Sequence, residues 1–174
     1  MASKRPRVEP PLIYLDSDVY LDWLLKRSVP HRDTGEPRWQ SAVLMIDATG
    51  DGRARLAASA LIEAEVACQG DVRTGDRRVR AEMRELFQAP ATLWTDVDRF
   101  LVRDAIDLAA KYGMRGADAT HLAAAIRLEC DYLMSHDGKF PFGQTVQGVQ
   151  VIRPAVVWEP TLLELVVDEE EEPA

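Results

Sequence analysis

LIYLDSDVYL, residues 12–21, joins two hydrophobic periods at an acid. Leu12 to Leu15 form an apolar run rich in strand formers, and after Asp16 and Ser17 the residues Val19, Trp23 and Leu24 recur at helical spacing. The reading is strand, acid, helix, and it repeats outward along the chain. RARLAAS (53–59) reads as a short buried strand, with Ser59 placed to cap the helix ALIEAEVACQG. ATLWTDV, DYLMS and TVQGVQVI supply three further strands, the last stopped by Pro154. WQSAVLMIDAT is a helix ended by Gly50, and an arginine-rich helix or helical clip runs through EMRELF until Pro90. Asp96 or Asp98 opens the helix DRFLVRDAIDLAAKYG, whose Phe100, Leu101, Ala105, Leu108 and Tyr112 fall on one side before Gly113 closes it. GADATHLAAAIRLEC is a helix opened near Asp118. Short strands alternating with longer helices predict an α/β fold with a central parallel sheet of four or five strands and helices on both faces.

The chain has 174 residues, 47% of them hydrophobic and 29% charged, which is one domain's worth of globular composition. No apolar run approaches the length of a membrane span, and the opening MASKRPRVEPP lacks a signal-peptide core, so a cytoplasmic protein with no membrane partner is expected. Cys68 and Cys130 lie in apolar helical patterns, as reduced core thiols do, and are too few for a thiolate zinc site. The net charge of −8 is unevenly spread: seven of the 29 acids lie in the last 20 positions, leaving a nearly neutral body with 22 acids against 21 bases. Within that body Arg73, Arg77, Arg78, Arg80 and Arg84 crowd into 14 residues with three acids, a place where a polyanion can bind. A flexible basic N-terminus (1–11), a body (12–154) and an apolar-acidic C-terminal extension (155–174) complete the organisation. The DEEEE of the extension either competes with a polyanion for the arginines or serves only as a solubilising end.

Four acids mark the ends of apolar strands or the helices that follow them: Asp16, Glu65, Asp118 and Asp137. In an open parallel sheet these positions share one edge, where ligands bind. Between Glu63 and Glu65 the buried stripe of Ile62 and Val66 leaves room for only one acid to reach that edge. Each acid has a plain reading as well: Asp16 and Asp118 as helix caps, Glu65 as a solvated helical position, Asp137 as an Asp-Gly turn residue. Clustered carboxylates repel unless a hard dication neutralises them, and His31, His121 and His136 share no ligand spacing, so Mg2+ or Mn2+ fits better than zinc. His121 reads as packing beside this edge. Trp23, Trp39 and Trp94 lie in apolar patterns and read as core or interface residues.

With these residues in place, the sequence resembles PIN-domain ribonucleases, most closely the VapC-type toxins of toxin–antitoxin pairs. The resemblance rests on LIYLDSDVYL, on SALIEAEV with Glu65, on ADATHLAAAI with Asp118, and on CDYLMSHDGKF with Asp137 ahead of Lys139 and Phe140; it covers about residues 12 to 153. It implies a PIN-like three-layer α/β/α domain in which Asp16, Glu65, Asp118 and Asp137 bind one or two Mg2+ or Mn2+ ions and catalyse RNA hydrolysis. Ser17 matches the small hydroxyl residue that supports the first acid, and Asp18 stands where many members have Asn. His136 and Lys139 are positioned to contact substrate or to belong to the loop alone, and Arg73, Arg77, Arg78 and Arg80 to grip RNA backbone or to form a solvated face. A small protein antitoxin and a homodimer are further implications. The alternative is a non-catalytic PIN-like binding or regulatory protein; a metal-dependent phosphatase or 5′ exonuclease on DNA would share the site chemistry but lacks its threading insertions here.

Overall fold

A computed structural model describes residues 9–158; the basic N-terminus before Glu9 and the DEEEE tail lie outside it. Six strands form one sheet: β1 (Leu12–Leu15), β2 (Arg55–Ser59), β3 (Leu93–Thr95), β4 (Tyr132–Met134), β5 (Thr145–Val146) and β6 (Val149–Ile152). Their order is β3-β2-β1-β4-β6-β5, and every pairing is parallel except that of β5 with β6. All four residues of β1 are buried, as expected of a central strand covered on both faces.

Seven helices connect the strands: α1 (Ser17–Leu25), α2 (Arg38–Gly50), α3 (Ala60–Cys68), α4 (Gly70–Thr74), α5 (Arg77–Phe87), α6 (Arg99–Tyr112) and α7 (Gly116–Arg127). α1 packs on α2, α3 and α5, while α6 packs along α7 and α7 on β2 and β4. The arginine-rich segment is two helices, not one. Asp76 caps α5 through the amides of Arg78 and Val79, and a Cβ at Gly75 would collide with the Asp71 carbonyl oxygen. On α5, Val79, Met83 and Leu86 pack on the core at helical spacing and leave the arginines outside. Asp98, not Asp96, caps α6, and its carboxylate also takes two hydrogen bonds from Arg127 at 2.9 and 3.0 Å, tying the start of α6 to the end of α7. The Arg127 bonds and those from the Leu101 and Phe100 amides hold the Asp98 carboxyl down to about 2.

Several details differ from the sequence expectation. Phe100 is 70% exposed, because it lies about 100° around α6 from Leu101, off the face that Leu101, Ala105 and Leu108 bury. Cys68 is exposed at the end of α3, and Cys130 is buried; both are free. Among the described residues, no helix is long and apolar enough to cross a membrane. TVQGVQVI is a hairpin rather than one strand, which raises the strand count to six. Its two-residue turn places Gln147 at φ 47° and Gly148 at φ 96°, the left-handed pair that matches the twist of two antiparallel strands.

Nothing lies within 4 Å of a Cβ built at Gly148, so Gly148→Ala tests backbone conformation alone. The substitution should destabilise by about 1–2 kcal/mol, lowering the melting temperature by several degrees; an unchanged melt would mean that the turn adapts without cost.

Candidate functional site

The sheet runs outward from β1 in two directions: the chain goes first to β2 and β3, then crosses back to β4 on the other side of β1. The carboxyl ends of β1 and β4 therefore form the topological switch point, where neighbouring connections diverge and leave a crevice. Asp16 is the first residue past β1, and Ser135, His136 and Asp137 are the first past β4. The Asp16 amide donates to the Met134 carbonyl at 2.9 Å, which fixes the two loop starts against each other.

Asp16 is 5% exposed and takes one donor on each oxygen: the Ser17 amide on Oδ1 and the Ser135 hydroxyl on Oδ2, both at 2.8 Å. Burial raises its pKa against the pull of His121 and of these two donors. The Ser135 oxygen in turn accepts the Asp137 amide at 2.9 Å, so one hydroxyl links the first acid to the loop that carries the last. Asp137 accepts the Lys139 amide at 3.2 Å and pairs with the Lys139 ammonium at 3.3 Å, with Asp137 half-buried and Lys139 exposed.

Glu65 faces this edge from α3, and Glu63 is exposed. His121 Nε2 lies 2.9 Å from Glu65 Oε2 and 3.6 Å from Asp16 Oδ1. Burial alone would raise the Glu65 pKa, but the His121 hydrogen bond, the His121 charge and the Ser17 hydroxyl outweigh it and leave the carboxyl lower. Asp16, Glu65 and His121 thus offer three ligand atoms within 4.8 Å of one another. Asp118 occupies the first turn of α7, where Arg115 holds the cap position; its Oδ2 is buried with no partner. Burial and the nearby Asp137 charge raise its pKa, while Lys139 and His121 oppose them. The four acids accordingly fall into two groups, Asp16 and Glu65 around His121, and Asp118 with Asp137 and Lys139, with His121 felt by both.

Three residues stand where sequence reasoning did not put them. His121 is in contact with two of the acids, not merely packed beside them; its signal was a place three residues after Asp118 on the same helical face. Ser135 had no signal beyond its position after β4. Ser59 occupies the N-cap position of α3, yet its hydroxyl bonds the Tyr14 hydroxyl at 2.7 Å instead of an orphan amide. His136 is only 3% exposed, edge-on to His31 with ring centroids 5.0 Å apart and 4.0 Å from Asp22 Oδ2, so its ring packs inside the fold and not on the loop surface. Burial, with Arg38 and His31 nearby, depresses it to about 3 and keeps the ring neutral. Its amide instead donates to Asp18 Oδ2 at 2.8 Å, the same carboxyl oxygen that lies 3.4 Å from the Ser135 hydroxyl. Among the described residues Arg78 pairs with Glu82 at 3.0 Å, whereas Arg73, Arg77, Arg80 and Arg84 have no ion-pair partner. Trp23 and Trp39 flank Lys26, each about 5.5 Å from its ammonium, and Trp94 packs on Phe87. A cavity of about 350 Å³ between α6 and α7, lined by Asp104, Asp107, Lys111 and Arg127 among others, includes none of these acids.

Burial first, then the Asp16 charge, pushes Asp18 up to about 8. Unfolded, the group ionises at about 3.9. Between these values the folded state holds the proton and the unfolded state does not, so stability falls as pH rises and the loss is complete above pH 8. Asp18→Asn removes the ionisation and should raise the melting temperature in EDTA by about 3 °C or more at pH 8 while changing it little near pH 5. An equal shift at both pH values would show that Asp18 is ionised in the fold.

The structure resembles solved proteins at low identity. A toxin–antitoxin complex from Klebsiella pneumoniae aligns with a TM-score of 0.57 and 16% identity over 83% of this chain and 99% of that one. VapC20 of Mycobacterium tuberculosis, a toxin that cleaves the sarcin-ricin loop, aligns at 0.53 and 15% over 72% and 90%. VapBC2 from Rickettsia felis, bound to a fragment of its promoter DNA, aligns at 0.53 and 14% over 85% and 99%. No curated protein matches the chain. The family model for the PIN domain matches residues 13–141, from the second residue of β1 to the loop beyond Asp137, and the chain belongs to the PIN domain family.

Proposed function

We propose that this protein is a metal-dependent endoribonuclease and the toxin of a toxin–antitoxin pair. The observation that carries the reading is the meeting of Asp16 and Glu65 at the switch point of a PIN domain, with Asp118 and Asp137 in mutual electrostatic reach. The donor set fits a hard dication such as Mg2+ or Mn2+: carboxylates predominate, and the buried Asp118 Oδ2 has no protein partner to satisfy it. When bound, such an ion lowers the pKa of a water, orients the scissile phosphate and screens the charge growing on its oxygens.

The residues divide the remaining work. Asp16 and Asp118 would hold the ion, Glu65 would hold it or position the attacking water, and Asp137 would bind it directly or through water. Ser17 and Ser135 keep their carboxylate partners oriented. Lys139 exchanges Asp137 for a substrate phosphate, and Arg73, Arg77, Arg80 and Arg84, together with Arg78, bind RNA backbone. The solved toxin–antitoxin complexes of similar fold favour a protein antitoxin as partner, and the family resemblance favours a homodimer.

Asp16→Asn and Asp118→Asn should each lower cleavage of a labelled RNA by at least about a hundredfold, the upper end of what losing even an outer-shell partner of a metal site costs, with melting temperature in EDTA unchanged or raised as like-charge repulsion falls. Full activity in EDTA, or from either variant, refutes the reading. Light scattering of the protein, alone and co-expressed with the product of its neighbouring gene, should give a dimer and a larger complex; a monomer under both conditions removes the dimer and the antitoxin.

A further inference from the structure

The acid site contains a buried histidine to which the proposed reaction assigns no part. His121 is 1% exposed, and its Nε2 lies 2.9 Å from Glu65 and 3.6 Å from Asp16. Neighbouring ligands around an octahedral ion, with bonds of about 2.1 Å, stand about 3 Å apart. The Glu65 spacing matches that of adjacent ligands, and the Asp16 spacing exceeds it by about 0.6 Å.

The other side of the ring supplies what a ligating histidine requires. Nδ1 lies 3.1 Å from the Tyr14 hydroxyl, which lies 2.7 Å from the Ser59 hydroxyl, and all three residues are buried. A hydroxyl both donates and accepts, so this pair serves either tautomer. With the proton on Nε2, the ring donates to Glu65 and accepts from Tyr14. With the proton on Nδ1, the ring donates to the Tyr14 oxygen, Tyr14 donates to Ser59, and the Nε2 lone pair faces the two carboxylates. The second arrangement is that of a metal-bound histidine held by an outer hydrogen bond.

Resting on the metal-dependent reading of the site, we propose that His121 is a direct ligand of the divalent ion through Nε2, with the Tyr14 hydroxyl, backed by Ser59, accepting its Nδ1 proton, and that this nitrogen shifts the site's preference from Mg2+ toward Mn2+. Mg2+ prefers oxygen donors and gives up water reluctantly, whereas the softer Mn2+ accepts an imidazole nitrogen more readily. The rival is a purely positioning role, with His121 keeping its Nε2 proton on Glu65 throughout.

The untagged full chain, loaded with Mn2+, distinguishes the two by electron spin-echo spectroscopy. Wild type should show the nitrogen coupling of a bound imidazole. The other two histidines do not supply it, since His31 Nε2 is engaged by the Pro154 carbonyl and His136 faces Asp22. His121→Gln should lose the coupling and bind Mn2+ about tenfold more weakly or worse, while its Mg2+ affinity by calorimetry changes less than about threefold. Tyr14→Phe should keep the coupling and weaken Mn2+ by a smaller factor. Mn2+ bound by wild type without nitrogen coupling overturns the ligand role and leaves the metal-dependent reading standing, and equal weakening of both ions in His121→Gln overturns the shift in preference. Failure of wild type to bind either ion overturns both readings. Where His121→Gln does not fold, the wild-type spectrum decides.

Discussion

Everything at the switch point depends on the hydrogen bond from the Asp16 amide to the Met134 carbonyl, the last rung between β1 and β4. The two strands are parallel neighbours separated by more than 100 residues of chain. Because they run in the same direction, their carboxyl ends arrive together, and the segments that leave them diverge. Ser135 then couples the two exits, donating to Asp16 and accepting from the Asp137 amide. The His136 amide reaches across to Asp18 in α1. Acids far apart in sequence are placed by backbone groups and one hydroxyl, so their geometry is inherited from the sheet and not from long side chains finding each other.

This arrangement has an energetic cost that the fold meets locally. Burial works against ionising Asp16, Asp18 and Asp22, and Asp118 is disfavoured further by Asp137. Donors offset part of that cost at Asp16, but Asp118 Oδ2 and Asp18 Oδ1 are left without any. Beneath the loop, a ring that burial keeps neutral, His136, sits between Asp22 and His31. The apolar residues of β1, together with Leu122 and Leu133 at 0% exposure, supply the compensating burial. A neighbouring cation would relieve the strain among the acids, and the stability of the empty fold and the affinity of its centre are therefore opposed.

The strand–acid–helix unit was legible because Leu12–Leu15 is an uninterrupted apolar run and α1 begins at once behind Asp16. The choice of Glu65 over Glu63 was legible from Ile62 and Val66, both fully buried, which fix the rotation of α3. His121 was not: on a helix whose neighbours are Ala and Leu, a lone histidine looks like packing, and only the convergence of α3 and β1 gives it acidic partners. The hairpin of β5 and β6 was hidden because Gln stands at a left-handed position where Asn or Asp is the usual signal. Ser59 carried a good capping signal, but its 0% exposure brought it beneath the sheet edge, where Tyr14 took the hydroxyl. Phe100 shared the helical spacing of Leu101 and Leu108 loosely, and a rotation of one residue separates a core position from an exposed one.

The charge pattern of the body links its two halves under the nuclease reading. α4 and α5 pack on α1 and α3, the helices that carry Asp18 and Glu65, so the arginine strip belongs to the same layer as part of the acid site. A polyanion drawn to Arg73, Arg77 and Arg80 meets repulsion as it nears Asp16, Asp118 and Asp137, and the repulsion ends only when those carboxylates are neutralised. On that reading, binding of a cation at the acids would strengthen binding of RNA at the arginines, and by thermodynamic reciprocity RNA would strengthen the cation by the same factor. The strip's attraction falls with rising salt because its arginines are exposed, whereas the buried Asp16 is screened far less. On the nuclease reading, salt would therefore weaken capture of RNA at the exposed arginines more than retention of an ion at Asp16.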